Sequence, residues 1–371
     1  MYVTRLATGN FRNLTDSELF PVDGVNVIYG DNAQGKTNLL EALWLFTGGH
    51  SFRGSKDQEL PRLGGLPAAS LALDFFSEER AQKAVLNIEN GRRSSVINGV
   101  QKRTGSALVG KVRAVIFSPE HLLLIKEGPS RRRSFLDGAL CQMRPGFAKI
   151  LSVYNRTLLQ RNALLKDMAR YPELRDTLDV WDARLAHFGV HVMQERGRYV
   201  KELAPRVAEI YDGISKGKEQ LRIEYSPAVK AAVENSATEE LEQLFQNELK
   251  RTAVSDAKSG FTSAGPHRDD LEILLDGISA RSFGSQGQQR SAVLALKLGE
   301  AEALAGETGE QPVVLLDDVM SELDRSRQDY LLNHLHGRQV FITCCSPETV
   351  SMQETGRRFR VEGGVVTAEE V

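Results

Sequence analysis

The chain has little of several things, and each shortage narrows what it is. Only three cysteines occur in 371 residues, Cys141, Cys344 and Cys345. They make no disulfide framework and lack metal-ligand spacing, so a reducing, cytoplasmic setting is expected. No apolar run approaches the ~20 residues that a membrane span needs. The opening Met1-Tyr2-Val3-Thr4-Arg5-Leu6 lacks the apolar core of a secretion signal. A membrane partner is therefore not expected. No heptad pattern is sustained over many turns, which excludes a long coiled coil. Charge of one sign is lacking overall, with a net charge of only −2. It is lacking locally in a more telling way. Between Glu89 and Glu120 there is no acid, while Arg92, Arg93, Lys102, Arg103, Lys111 and Arg113 fall in that span. Basic residues also outnumber acids from Lys126 to Glu209. Each excess reads either as a solvated surface or as a polyanion-binding face.

What is present is a phosphate-binding loop. Gly30-Asp31-Asn32-Ala33-Gln34-Gly35-Lys36-Thr37 has the form G-x-x-x-x-G-K-T. A β-branched run, Val25 to Tyr29, precedes it, and an apolar helix from Thr37 to Phe46 follows. In that context the loop's N–H groups face phosphates, Lys36 reaches the β- and γ-phosphates, and the Thr37 hydroxyl serves Mg²⁺. The acidic strand such a loop needs lies far away, at Val313-Val314-Leu315-Leu316-Asp317-Asp318. Asp317 is placed to hold Mg²⁺, and Asp318 to position or activate water. Asp318 reads alternatively as a helix-capping carboxylate. Aspartate is one methylene shorter than glutamate, so slow, timer-like ATP hydrolysis is expected.

Just before the acidic strand, Ser285-Gln286-Gly287-Gln288-Gln289-Arg290 opens a helix. Ser285 suits a helix N-cap. It also suits a second role, since loop, serine-glycine run and acidic strand in this order describe an ATPase of the ABC type. There Ser285 and Gly287 face the γ-phosphate held by another copy, so ATP is expected to join two chains. Ser321-Glu322-Leu323-Asp324 would line the same junction.

The rest of the pattern fixes organisation. Leu71–Phe76, Lys83–Glu89 and Arg92–Ile97 read as strands joined by tight turns at Asn90-Gly91 and Asn98-Gly99. Helices follow over Pro129–Leu140, Phe147–Met168, Leu174–Tyr211 and Glu239–Arg251, the middle two amphipathic and paired as an antiparallel hairpin. Strand and helix then alternate to the end, which implies a mostly parallel sheet. The fold expected is α/β: an ABC-type P-loop ATPase head from residues 1–120 and 257–371, with an inserted, mostly helical lobe at 121–256. Two segments stand apart. Gly128-Pro129-Ser130-Arg131-Arg132-Arg133 puts three arginines at a helix start, the unfavourable end of the dipole, so carboxylates or phosphates must offset them. Gly265-Pro266-His267-Arg268-Asp269-Asp270 holds a histidine of a type that can catalyse, but with no evident nucleophile or metal partner His267 reads better as structural or DNA-adjacent.

With these residues in hand, the chain resembles the RecF family of bacterial recombination mediators. The matching pieces are Asn10-Phe11-Arg12-Asn13, Gly30 to Glu41, Pro119 to Asp137, Gly265 to Asp270, Ser285 to Arg290 and Leu315 to Asp324. The resemblance implies an SMC-head-like ABC-type head, ATP-dependent dimerisation and binding to single-stranded or gapped DNA and its junctions with duplex. It implies partnership with RecR, and with RecO and RecA in the pathway that loads RecA. By analogy with SMC heads, Arg12 would contact the nucleotide phosphates. Two departures from the general ABC pattern stand out: Cys344-Cys345-Ser346 replaces a histidine near the γ-phosphate, and no glutamine is evident near Phe117-Ser118-Pro119-Glu120. Three other readings fit the sequence less well. A purely structural SMC-like head is opposed by the short insert. A nuclease-linked ATPase lacks room for a second acidic domain, and a transporter subunit does not suit the basic hairpins.

Overall fold

Val27 and Ile28 put apolar side chains on opposite faces of the run Val25-Asn26-Val27-Ile28-Tyr29, as suits a central strand of a parallel sheet. In the computed structural model, which describes residues 1–168, 170–230, 236–347 and 356–369, it forms strand β3 (Val25–Tyr29). On one side β3 pairs in parallel with β13 (Val340–Cys344), and β13 with β12 (Val313–Asp317). Beyond them lies β8 (Ala114–Phe117), also parallel. On its other side β3 pairs in parallel with β14 (Arg357–Glu362), which carries β15 (Val365–Glu369) as an antiparallel edge. The order is β15-β14-β3-β13-β12-β8.

The expectation of a mostly parallel sheet holds for this sheet alone. A second six-stranded sheet is wholly antiparallel, in the order β2-β1-β4-β5-β6-β7. Its strands are β1 (Tyr2–Gly9), β2 (Ser17–Leu19), β4 (Ala68–Ser77), β5 (Arg80–Glu89), β6 (Arg92–Ile97) and β7 (Val100–Lys102). From β4 to β7, turns of two residues leave no other choice, because parallel strands need long crossovers. Asn90 and Asn98 take φ of 49° and 50°, with glycine after each, the backbone that the right-handed strand twist favours. Leu6, Leu71 and Leu86 from this sheet share a core with Phe341 and with Leu39 and Phe46 of the first helix segment.

Two compact units result, Met1–Leu122 with Arg290–Val371, and Leu123–Gln289. The second therefore runs past the expected end at residue 256. The reason is a strand unseen in the sequence: β9 (Leu221–Ser226) pairs with β10 (Asp270–Leu275), which also pairs with β11 (Ile278–Ser279). Around this small sheet the second unit is helical, with α2 (Leu123–Lys126), α3 (Pro129–Met143), α4 (Pro145–Asp167), α5 (Leu178–Ser215), α6 (Thr238–Ser259) and α7 (Ala280–Phe283). Arg161 of α4 bonds Asp182 of α5, while Tyr154 of α4 lies beside Gly189 of α5. Partners that descend on one helix as they ascend on the other make the hairpin antiparallel, as expected. Of the remaining helices, α1 (Lys36–Leu45) follows β3, α8 (Gln286–Thr308) precedes β12, and α9 (Arg325–His334) follows it.

Candidate nucleotide site

The loop after β3 is shaped by what surrounds it. Gly30 has φ of 147°, and a Cβ there would lie 2.2 Å from the Val361 carbonyl oxygen. Gly35, at φ 120°, caps α1, where a Cβ would meet Leu14 at 2.8 Å and Asn13 at 2.9 Å. No side chain fits at either position. Asn13 Nδ2 donates to the Ala33 carbonyl at 3.0 Å, and Asn38 Nδ2 donates to Asn13 Oδ1 at 2.6 Å. Gln34 Oε1 accepts from Gly363 N at 2.5 Å, and Cys345 Sγ lies 3.3 Å from Asn32 Oδ1. The Lys36 ammonium donates to the carbonyls of Gly30 and Asp31 at 2.5 and 2.8 Å, which holds its charge over the loop.

Parallel pairing of β12 with β13 sets Asp317 opposite Thr343. The Thr37 hydroxyl donates to Asp317 Oδ1 at 2.8 Å, and the Thr343 hydroxyl donates to the same oxygen at 2.9 Å. So residues far apart in sequence close on one carboxylate. Burial raises the Asp317 pKa, the two hydroxyls lower it, the Asp318 charge raises it and Arg53 lowers it. A buried carboxylate beside a hydroxyl and a second carboxylate is a donor set that suits a hard divalent cation. Asp318 follows at φ 52°, its N–H donating to Thr343 Oγ1 at 2.9 Å. Asn32, Lys36, Thr37, Arg53, Asp317 and Asp318 all line one cavity of about 350 Å³. Thr343 and Arg53 are residues that motif reading missed. Arg53 donates to Asn38 Oδ1 at 2.9 Å. No spacing rule marks it; a polar residue ending an otherwise apolar strand was the available signal for Thr343.

Arg12 is not brought to this cavity. Its guanidinium makes a two-pronged ion pair with buried Glu41 at 2.8 and 2.9 Å and donates to the Glu59 carbonyl at 3.0 Å. Ser285 and Gly287 belong to the second unit, not to the unit that carries the loop and Asp317. Ser285 is exposed, and it caps its helix reciprocally: Gln288 N donates to Ser285 Oγ at 3.3 Å, and Ser285 N donates to Gln288 Oε1 at 2.7 Å. Past the acidic strand, the Ser321 hydroxyl donates to the Asp318 carbonyl at 2.8 Å, and Asp324 caps α9.

The arginine run is answered by carboxylates and carbonyls. Arg131 pairs with Glu127, Arg132 grips Asp270 with two bonds of 2.6 and 2.8 Å, and Arg133 donates to the Asp269 carbonyl at 2.7 Å. Arg196 grips Asp137 in the same two-pronged way. Arg132, Arg161 and Arg196 are all buried. Part of the basic excess over residues 126–209 is thus internal framework, not surface.

Residues 2–367, nearly the whole chain, match the family model for the RecF/RecN/SMC N-terminal domain. The DNA replication and repair protein RecF of Acetivibrio thermocellus is 42% identical, with 98% of this chain and 99% of that protein aligned. The chain belongs to the RecF family. RecF of Lachnoclostridium phytofermentans is 39% identical to this RecF-family chain over 99% of both. A solved structure of the recombination mediator RecF with ATP, from the RecFOR pathway, superposes with a TM-score of 0.93 at 37% identity, covering 100% of this chain and 98% of that one. An SMC head domain from Pyrococcus furiosus, 16% identical, superposes at 0.56 over 99% of this chain and 96% of that one, a likeness of fold. The ABC-type head expected from the motif order is therefore the fold of this RecF-family chain.

Proposed function

We propose that this chain is an ATP-switched DNA clamp of recombinational repair and replication. One observation carries the reading: the Thr37 hydroxyl on Asp317, which joins the phosphate loop to the acidic strand. In this reading the N–H groups of Gly30 to Thr37 cradle the phosphates and Lys36 neutralises them. Thr37 and Asp317 hold Mg²⁺. Asp318 positions the attacking water, and its short side chain fits slow, DNA-stimulated turnover. Ser285 and Gly287 come from a second copy, because a helix N-terminus favours the charge of a γ-phosphate. Two composite sites then hold a dimer together until hydrolysis releases it. The clamp binds single-stranded or gapped DNA at junctions with duplex, and works in the cytoplasm with RecR, RecO and RecA. The RecF–ATP structure of the RecFOR pathway supports both nucleotide and partners. Among the described residues no helix is long and apolar enough to cross a membrane.

Size-exclusion chromatography with light scattering tests this, with and without ATP. The expected result is an ATP-induced doubling of mass for the wild type and none for Lys36→Met. A wild type that stays monomeric in ATP removes the clamp.

A further inference from the structure

His187 and His191 lie four residues apart on α5, hence on one helix face. Glu242 of α6 stands opposite them. One ligand atom from each of the three lies within 4.8 Å of the other two. His187 Nδ1 is already 2.8 Å from Glu242 Oε1. The two imidazoles meet edge-on, with centroids 5.2 Å apart, and Phe188 braces His187 at 5.0 Å.

The helix crossing that makes this possible is built into the sequence. Gly189 sits between the two histidines, and a Cβ there would lie 2.5 Å from the Phe245 ring. Phe245 is one helical turn from Glu242 on α6 and fully buried. The missing side chain lets α6 come close, which carries Glu242 to the histidine pair. An ordinary ion pair would need only His187 and Glu242. The third group on the same face calls for another explanation.

The geometry points to a transition-metal site, of the Zn²⁺ class, formed by His187, His191 and Glu242. Two imidazoles and one carboxylate are a borderline-soft donor set, which excludes Mg²⁺ and Ca²⁺. Bonds of roughly 2.0–2.2 Å in a tetrahedron place ligand atoms about 3.4 Å apart, so closing the triad takes a movement of about 1–1.5 Å by side-chain rotation. His187 is 52% exposed, so the fourth position opens to water. The bound ion ties α5 to α6 as a staple of the second unit, and nothing in the nucleotide cavity contributes to it.

Cobalt(II) titration of the full chain, followed by visible absorption, tests the assignment. One Co²⁺ per chain with the intense bands of a tetrahedral site is expected, displaced by Zn²⁺ and untouched by excess Mg²⁺. His191→Ala and Glu242→Gln should each weaken binding at least tenfold, while Asp317→Asn and Cys345→Ser retain it. Zn²⁺ at a hundredfold excess over its Kd should raise the wild-type Tm by roughly 5–10 °C and the His191→Ala Tm by much less. Absence of Co²⁺ binding in the wild type, or binding that survives both His191→Ala and Glu242→Gln, overturns the proposal.

Discussion

His267 has its ring nitrogen Nε2 2.9 Å from the Thr262 carbonyl, and a carbonyl can only accept. Nε2 therefore carries the hydrogen, and Nδ1 accepts the Tyr154 hydroxyl at 2.6 Å. Both nitrogens are spent, so the residue is framework and not a catalytic base. Burial lowers its pKa to about 4, against help from the Thr262 bond. On acidification the unfolded chain takes up this proton first. The stability held by the neutral ring is complete above pH 6.5 and drains away as pH falls toward 4. Between pH 7 and pH 5 the loss is about 2 kcal/mol. Glutamine can donate to Thr262 and accept from Tyr154 without titrating. Urea midpoints at the two pH values should thus fall less for His267→Gln than for the wild type; equal falls refute the assignment. The same scale explains what motif reading could reach. Lys36, Thr37 and Asp317 are legible because phosphate and cation chemistry demands those side chains at those spacings. Arg53 and Thr343 are brought in by tertiary pairing, which no local spacing records.

Helices α4 and α5 were legible as amphipathic stripes and α6 as a helix, yet what locks the three together was not. Arg161 of α4 is fully buried and bonds Asp182 of α5 at 2.6 Å, Asp256 of α6 at 3.0 Å and the Thr262 hydroxyl at 2.8 Å. In sequence it was one more cation in a basic helix. Burial raises the Asp182 pKa and the guanidinium lowers it. Removing that cation strands two carboxylates in the interior, a change that costs about 3–5 kcal/mol. Arg161→Met should lower the unfolding free energy measured in urea by that amount, while Arg156→Met, at an exposed position of the same helix, should change it by less than about 0.5 kcal/mol. A comparable, small effect in both would show that the three-helix junction does not depend on the arginine. Strand β9 escaped notice for a related reason. Leu221, Ile223 and Tyr225 alternate with Arg222 and Glu224, but six residues wedged between helices give a short signal, and their partner β10 lies beyond α6.

At the scale of the molecule, a net charge of −2 hides how the cations are used. Within the acid-free span, Arg93 pairs with Asp57, Arg113 with Glu310, and Lys111 approaches Glu78. Arg92, Lys102 and Arg103 are exposed and, among the described residues, form no ion pair. Strand β7 is the outer edge of its sheet, and Ser95 of β6 faces Lys102 of β7. The register therefore gathers Arg92, Lys102 and Arg103 at the end of the hairpin remote from its turn. On the proposed clamp reading, exposed, unpaired cations gathered at one corner of a sheet suit contacts to a phosphate backbone. Each phosphate contact made to duplex DNA contributes a slope of about −0.9 to log K against log salt. The triple variant Arg92→Ala, Lys102→Ala, Arg103→Ala should flatten that slope by about 2–3 for each engaged chain. Binding should weaken alike on unrelated sequences, because phosphate contacts carry no base information. ATP-induced dimerisation should survive, since none of the three lines the nucleotide cavity. Fluorescence anisotropy on a gapped duplex across a salt series reads all of this. An unchanged slope would assign the three cations to plain solvation and move the DNA path to another face.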